Sequence, residues 1–170
     1  SARDAGTDEA GGGAMSLNGY EVQEISAREA TDVIVKNHYL HRRGPASSCF
    51  GLFDDWGSLV GVITYGTPAS PSLCKGLAGP DEVEHVTELT RLWIADITPK
   101  NAESFLIGRS LRMLPPEKDL VVSFAEIRAG HVGTVYQATN WIYTGLSDRH
   151  VEWQVDGVES SKHGRHLFDE

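Results

Sequence analysis

Between Ser123 and Trp141 the chain places a carboxylate (Glu126), an imidazole (His131), a phenol (Tyr136) and an indole (Trp141) on what reads as a strand, a polar turn and a short helix. Such a set can move protons. A carboxylate at a partly buried strand end has its pKa raised toward neutrality, where general-base catalysis works best. The competing role for Glu126 is a helix-capping or ion-paired glutamate. A second dense cluster, Asn37-His38-Tyr39-Leu40-His41-Arg42-Arg43, follows a helical pattern at a point where stability alone needs only a plain polar turn. His38 and Tyr39 can bind a ligand, pass protons or ligate a metal. Together, His38, His41, His131 and Glu126 supply the residue types of a two-histidine, one-carboxylate iron site. Nothing in their spacing demands a metal, and none is assigned.

Arg91 lies in the run Val86-Thr87-Glu88-Leu89-Thr90-Arg91-Leu92-Trp93-Ile94. Regular strand alternation groups it with Leu89 and Trp93 on one face, leaving Glu88, Thr90 and Leu92 on the other. A guanidinium among bulky apolar neighbours is costly unless paired, so it needs an anion. The neighbourhood of Glu88, Glu126 or a ligand phosphate would serve. Arg42 and Arg43, next to Gly44 and Pro45, are the expected phosphate contacts, with ordinary solvated arginines as the alternative.

These side chains need a scaffold, and the pattern supplies one. Ser26-Ala27-Arg28-Glu29 fits a capping box, and Ala30, Val33 and Ile34 follow at helical spacing, predicting a helix from about 27 to 36. Phe50 to Phe53 and Leu59 to Tyr65 read as a hairpin turned by Asp54-Asp55-Trp56-Gly57. Pro68, Pro71, Gly76, Gly79 and Pro80 predict an irregular loop. After the 86–94 strand, Thr98-Pro99 reads as an N-cap with proline at the first helical position, opening a helix from Ala102 to Leu114 that Pro115-Pro116 stops. Leu120 to Ala125 reads as a strand buried on both faces. A short helix over about 131–139, a strand from Trp141 to Thr144 and a last strand near Val151 to Val155 complete the order. The fold class is α/β: a mixed, mostly antiparallel sheet with a central parallel pair and flanking helices. The parallel pair is 86–94 with 120–125, joined by the intervening helix as a right-handed crossover. Ligands in such sheets gather at the C-terminal ends of the parallel strands, where Glu126 would lie.

Composition narrows the classes. A chain of 170 residues, 40% apolar, suits one domain with a real core. Residues 1–14 are small, Gly-rich and acidic, and read as a disordered extension or remnant before Met15; 15–156 form the domain, and 157–170 a polar tail with the basic cluster Lys162-His163-Gly164-Arg165-His166. No apolar run suits a membrane span or signal peptide, so a cytoplasmic location is expected. Cys49 and Cys74 have no CxxC partner and are read as reduced, partly buried thiols. A net charge of −9 excludes a general phosphate-coating protein, so any nucleic-acid contact is local.

The element order is similar to the GNAT acyltransferase fold, and four ordered motifs are narrower than that. These are residues 37–43; Thr87-Glu88-Leu89-Thr90-Arg91-Leu92-Trp93; Thr98-Pro99-Lys100-Asn101-Ala102-Glu103-Ser104; and Gly130-His131-Val132-Gly133-Thr134-Val135-Tyr136-Gln137-Ala138-Thr139-Asn140-Trp141. In these motifs the chain resembles the Mom family of phage DNA-modification proteins. The resemblance implies a transferase that converts adenine in DNA to its N6-carbamoylmethyl form in the bacterial host, shielding phage DNA from restriction. It implies catalytic roles for His38, Tyr39, Arg91, Tyr136 and Glu126, the last standing where an aspartate is expected and one methylene longer. Arg42, Arg43, Ser123, His131, Asn140 and Trp141 are the expected substrate contacts. Tyr136 and Trp141 could stack on a flipped-out adenine of double-stranded DNA. Trp141 serves equally well as core.

Adenine N6 is a poor nucleophile, because its lone pair is delocalised into the ring, so the reaction calls for a base, an activated electrophile or both. The donor is not legible. GNAT enzymes hold acetyl-CoA on a glycine-rich loop before the central helix, whereas Asp96-Ile97-Thr98-Pro99-Lys100-Asn101-Ala102-Glu103 has no glycine and loses one donor to proline, so acetyl-CoA use is doubtful. Iron, a small molecule or an aminoacyl-tRNA are the other options, and the chain leaves room for a homodimer. Aminoacetyl and carbamoylmethyl groups are constitutional isomers, so glycine transfer to N6 followed by rearrangement would give the product. Two other readings stand beside this one: a conventional N-acyltransferase on a small-molecule or protein amine, and a non-catalytic nucleic-acid adaptor using residues 37–43 and 162–166.

Overall fold

Ser26 begins the first helix as its sequence predicts. Its Oγ accepts the Glu29 N–H at 3.1 Å, and helix α1 runs over Ala27–Asn37. Ala30 and Ile34, one turn apart, are its fully buried residues and pack on Cys49 and Val62. The structure, a computed structural model, describes residues 16–38, 41, 43–124, 136, 139–142, 144, 152–153 and 162–163.

A five-stranded sheet carries the site: β1 (Glu21–Glu24), β2 (Ser48–Phe53), β3 (Leu59–Gly66), β4 (Val86–Ile94) and β5 (Leu120–Ser123), in that spatial order. All neighbours are antiparallel except β4 and β5, which pair in parallel. The mixed, mostly antiparallel α/β architecture expected from the sequence is therefore present. Its β2–β3 turn is fixed by Asp54, whose Oδ1 accepts the N–H groups of Trp56 at 2.9 Å and Ser58 at 2.8 Å, with Gly57 at φ +79°. β1 carries no alternating signal, because only Val22 of its four side chains is even half-buried.

Helix α2, the start of α3 and strand β5 differ from expectation. The segment read as an irregular loop contains helix α2, Pro71–Ala78, with Ser70 Oγ accepting the Leu73 N–H and Gly79 closing the end at φ +96°. Proline at the first helical position and glycine just beyond the last are tolerated punctuation, so the residues taken as breakers mark the helix's ends. Helix α3 runs Ala102–Met113, but Asn101 and not Thr98 is its N-cap; the Thr98 hydroxyl instead donates to the Ala95 carbonyl at 2.8 Å. β5 is half-buried along its whole length and not enclosed on both faces, since among the described residues it pairs with β4 alone.

α3 provides the parallel crossover and covers one sheet face. Leu106 and Ile107 are fully buried against Phe50, Leu52, Ile63, Tyr65 and Leu89. Each such side chain is worth roughly 1.5–3 kcal/mol of transfer free energy. α1 covers the opposite face. Of the expected 141–144 strand, Trp141, Ile142 and Thr144 are irregular, and the 131–139 helix lies outside the described residues except for helical Tyr136 and the turn at Thr139. Farther on, β6 (Glu152–Trp153) and β7 (Lys162–His163) pair antiparallel as a separate ribbon, so part of the basic cluster is in a strand.

Candidate functional site

A β-bulge at Thr90 decides which side chains share the site. Tyr65 pairs with Leu89 but Thr64 pairs with Arg91, leaving Thr90 as the extra residue. An inserted residue shifts strand alternation by one. Leu89 therefore faces α3 with Tyr65, whereas Arg91 and Trp93 face α1 with Thr64 and Val62; Glu88, opposite Gly66, lies on that same α1 face. The expected grouping of Leu89, Arg91 and Trp93 is thus corrected: Arg91 shares its face with Glu88.

The bulge also ties down the segment after α1. The Thr90 hydroxyl donates to the Pro45 carbonyl at 2.7 Å, and the Thr64 hydroxyl lies 2.8 Å from Thr90 Oγ1. Pro45 sits directly on Gly66: a Cβ built there would lie 2.6 Å from Pro45 backbone and ring atoms. Gly44 leaves space for Arg91, whose Cζ and Nη1 would lie 3.2 Å from a Cβ at position 44. Arg91 Nη1 donates to the Thr90 carbonyl at 2.6 Å. Arg43 and Arg91 line one small cleft with Thr31, Ile34, Gly44 and Thr64.

His38 caps the end of α1 and is buried, with its N–H donating to Ile34 O at 2.9 Å. His41, at φ +46°, donates its own N–H to His38 O at 2.8 Å and sets its ring Nδ1 3.1 Å from Val35 O. That bond directs the His41 ring back to the helix end.

Ser123, Tyr136 and Trp141 form the second group, on the α3 side. Ser123 pairs with Leu89 at the end of β5, and its hydroxyl donates to the Tyr136 phenol oxygen at 2.8 Å. The Tyr136 and Trp141 rings are 5.1 Å apart at 59°, and both are partly buried against the α3-side core. Asn140 adopts φ +62°, a left-handed conformation asparagine accepts readily, in the turn where Trp141 N–H donates to Tyr136 O at 3.1 Å.

The two groups thus lie on opposite faces of the sheet. Parallel pairing stops at Leu89–Ser123, while β4 runs on to Ile94. Arg91 follows two residues beyond the last described pair. Tyr39, Arg42, Glu126 and His131 lie outside the described residues. Among the described residues no group of three His, Cys, Asp or Glu side chains could hold a metal ion.

One further carboxylate lies on the Arg91 face. Glu88 accepts the Ala69 N–H on Oε2 at 3.0 Å. Burial pushes its pKa up, with the Ala69 bond and the Arg91 charge acting the other way. The bulge at Thr90 brings Glu88 to the face of Arg91, which regular alternation hides. In the turn before α3, Pro99 has no N–H to offer, and the Ala102 N–H is committed to Pro99 O at 3.0 Å.

The fold and site define a mixed α/β domain whose polar groups collect where two parallel strands part. Its sequence matches the Mom protein family over residues 19–169, and the chain belongs to that family. It is 34% identical over 140 residues to the methylcarbamoylase Mom of Escherichia phage Mu, across 80% of this chain. The chain spans 57% of that relative's length. A solved structure assigned as a phosphinothricin N-acetyltransferase matches with a TM-score of 0.44 and 12% identity, over 70% of this chain and 80% of that one.

Proposed function

We propose that this protein is a DNA-modifying transferase that converts adenine to N6-carbamoylmethyl-adenine, protecting phage DNA from restriction. Membership of the Mom family, over nearly the whole chain, carries the reading. The site chemistry agrees with it. A flipped-out adenine needs an anion-binding wall for its phosphates, which the Arg43–Arg91 cleft can supply, with Arg42 next to Arg43 in sequence. His38, at the C-cap of α1, and Tyr39, next in sequence, act on the base. Tyr136, held by Ser123, orients the base or relays its proton, with Glu126 and His131 nearby in sequence and Asn140 and Trp141 shaping the corner.

The donor we favour is an activated glycyl ester, such as an aminoacyl-tRNA, because an aminoacetyl group on N6 is an isomer of the final product. Nucleosides from cells expressing the chain, analysed by mass spectrometry beside Tyr39→Phe and Glu126→Ala, test the reaction: wild type should yield the modified adenine and both variants little or none. An unmodified adenine pool in the wild type overturns the reading. Purified protein given DNA and charged tRNA tests the donor, which is wrong if adenine gains mass without tRNA.

A further inference from the structure

Glu88 sits at the C-terminal end of the β4–β5 parallel segment, paired with Val122 one step before the strands part, on the face that carries Arg91 and the Gly44–Pro45 segment. Ligands of parallel sheets bind beyond this end of the strands. Its carboxylate is held by one oxygen only. Oε2 takes the Ala69 N–H, which fixes the side chain, and Oε1 accepts no hydrogen bond among the described residues. The titratable and charged groups facing it are Arg91, along β4, and the Cys74 thiol, buried on α2. Glu88 is half-buried, so Oε1 needs no protein donor and is available to a ligand.

We propose that Glu88 is the proton acceptor for adenine N6 in the reaction inferred above, on which this assignment rests. The N6 lone pair forms the bond to the glycyl ester carbonyl carbon, and the ester C–O bond breaks with its electron pair passing to the leaving oxygen. One N6 proton moves to Glu88 Oε1 and is then given to that oxygen, which departs as an alcohol. Glu88 ends ionised, ready for a second cycle. The burial that favours its protonated form brings the group closer to the neutral range in which such two-way transfer is efficient.

The test uses the full chain with Glu88→Gln, which keeps an oxygen for the Ala69 N–H, and Glu88→Asp. Expected for Glu88→Gln is a loss of roughly 100-fold or more in adenine modification. Duplex-DNA affinity should stay within about twofold and the melting temperature should not fall. The wild-type rate should decline as pH falls through the carboxyl's pKa, and that acid limb should vanish in the residual activity of Glu88→Gln and persist in Glu88→Asp. Activity of Glu88→Gln within about threefold of wild type overturns the proposal, as does a loss of activity that keeps the wild-type acid limb, which would mark a purely structural role. Wild type that leaves adenine unmodified overturns the functional reading itself, and this assignment with it, whatever Glu88→Gln does.

Discussion

Ser123 and Tyr136 are joined hydroxyl to hydroxyl at 2.8 Å, linking the last residue of β5 to the segment that carries the phenol. Because Ser123 pairs with Leu89 at the point where β4 and β5 separate, the bond fixes the phenol at the rim of the opening. If Ser123 acts through Tyr136, the two substitutions must be non-additive. Tyr136→Phe should cut adenine modification by roughly 100-fold and Ser123→Ala by about tenfold, with the double variant no worse than Tyr136→Phe alone. Multiplicative losses in nucleoside mass spectrometry would show the two acting independently.

Tyr65 and Ser110 make a second hydroxyl pair, also at 2.8 Å, but wholly buried between β3 and α3. Burial raises the Tyr65 pKa far above the usual range, so this phenol does no proton transfer near neutral pH. Ser110→Ala strands a buried hydroxyl and should cost roughly 1–3 kcal/mol. Adding Tyr65→Phe should restore most of that, because both polar partners are then gone. Denaturant melts of the single and double variants check this, and activity per folded molecule should not change.

Helix α1, the β2–β3 hairpin and the parallel crossover were legible because each has a local signature: the Ser26 cap, the Asp54–Gly57 turn, and apolar runs flanking a helix stopped by Pro115. The site was less legible. His38, Arg91 and Ser123 were picked out by residue type, yet their arrangement depends on the Thr90 bulge, which is set by Thr64 and Pro45 across the sheet and leaves no trace in local alternation. That hidden shift grouped Arg91 with Leu89 and away from Glu88. α2 was missed because Pro71 and Gly79 break a chain equally well at the ends of a helix or inside a loop, and only packing of Cys74 decides between them.

Two glycines beside the site should respond in opposite ways. At Gly44 an added methyl meets the guanidinium of Arg91, a flexible side-chain end that can move. Gly44→Ala should therefore leave the melting temperature nearly unchanged but displace Arg91 and lower activity by about tenfold or more. At Gly66 the methyl meets the Pro45 backbone at 2.6 Å, which is anchored through Thr90 and cannot yield cheaply. Gly66→Ala should cost about 1–3 kcal/mol in stability. Thermal melts and initial rates, measured together, separate the two; equal effects on both quantities would contradict the packing.

Glu88 gives a stability signature that needs no substrate. Burial raises its pKa in the native state, so the folded protein holds that proton more tightly than the unfolded chain. The corresponding stability is fully present below the ordinary glutamate range and is lost as pH rises through the raised native value. Arg91 favours the charged form and reduces this loss without reversing it, since burial is the larger influence. Glu88→Gln removes the titration while an oxygen still accepts the Ala69 N–H. Its melting temperature relative to wild type should therefore rise as pH climbs above the unperturbed carboxyl range of about 4. A difference constant with pH above that range would mean that Glu88 is solvated in the native state, and would remove the physical basis for its role at N6.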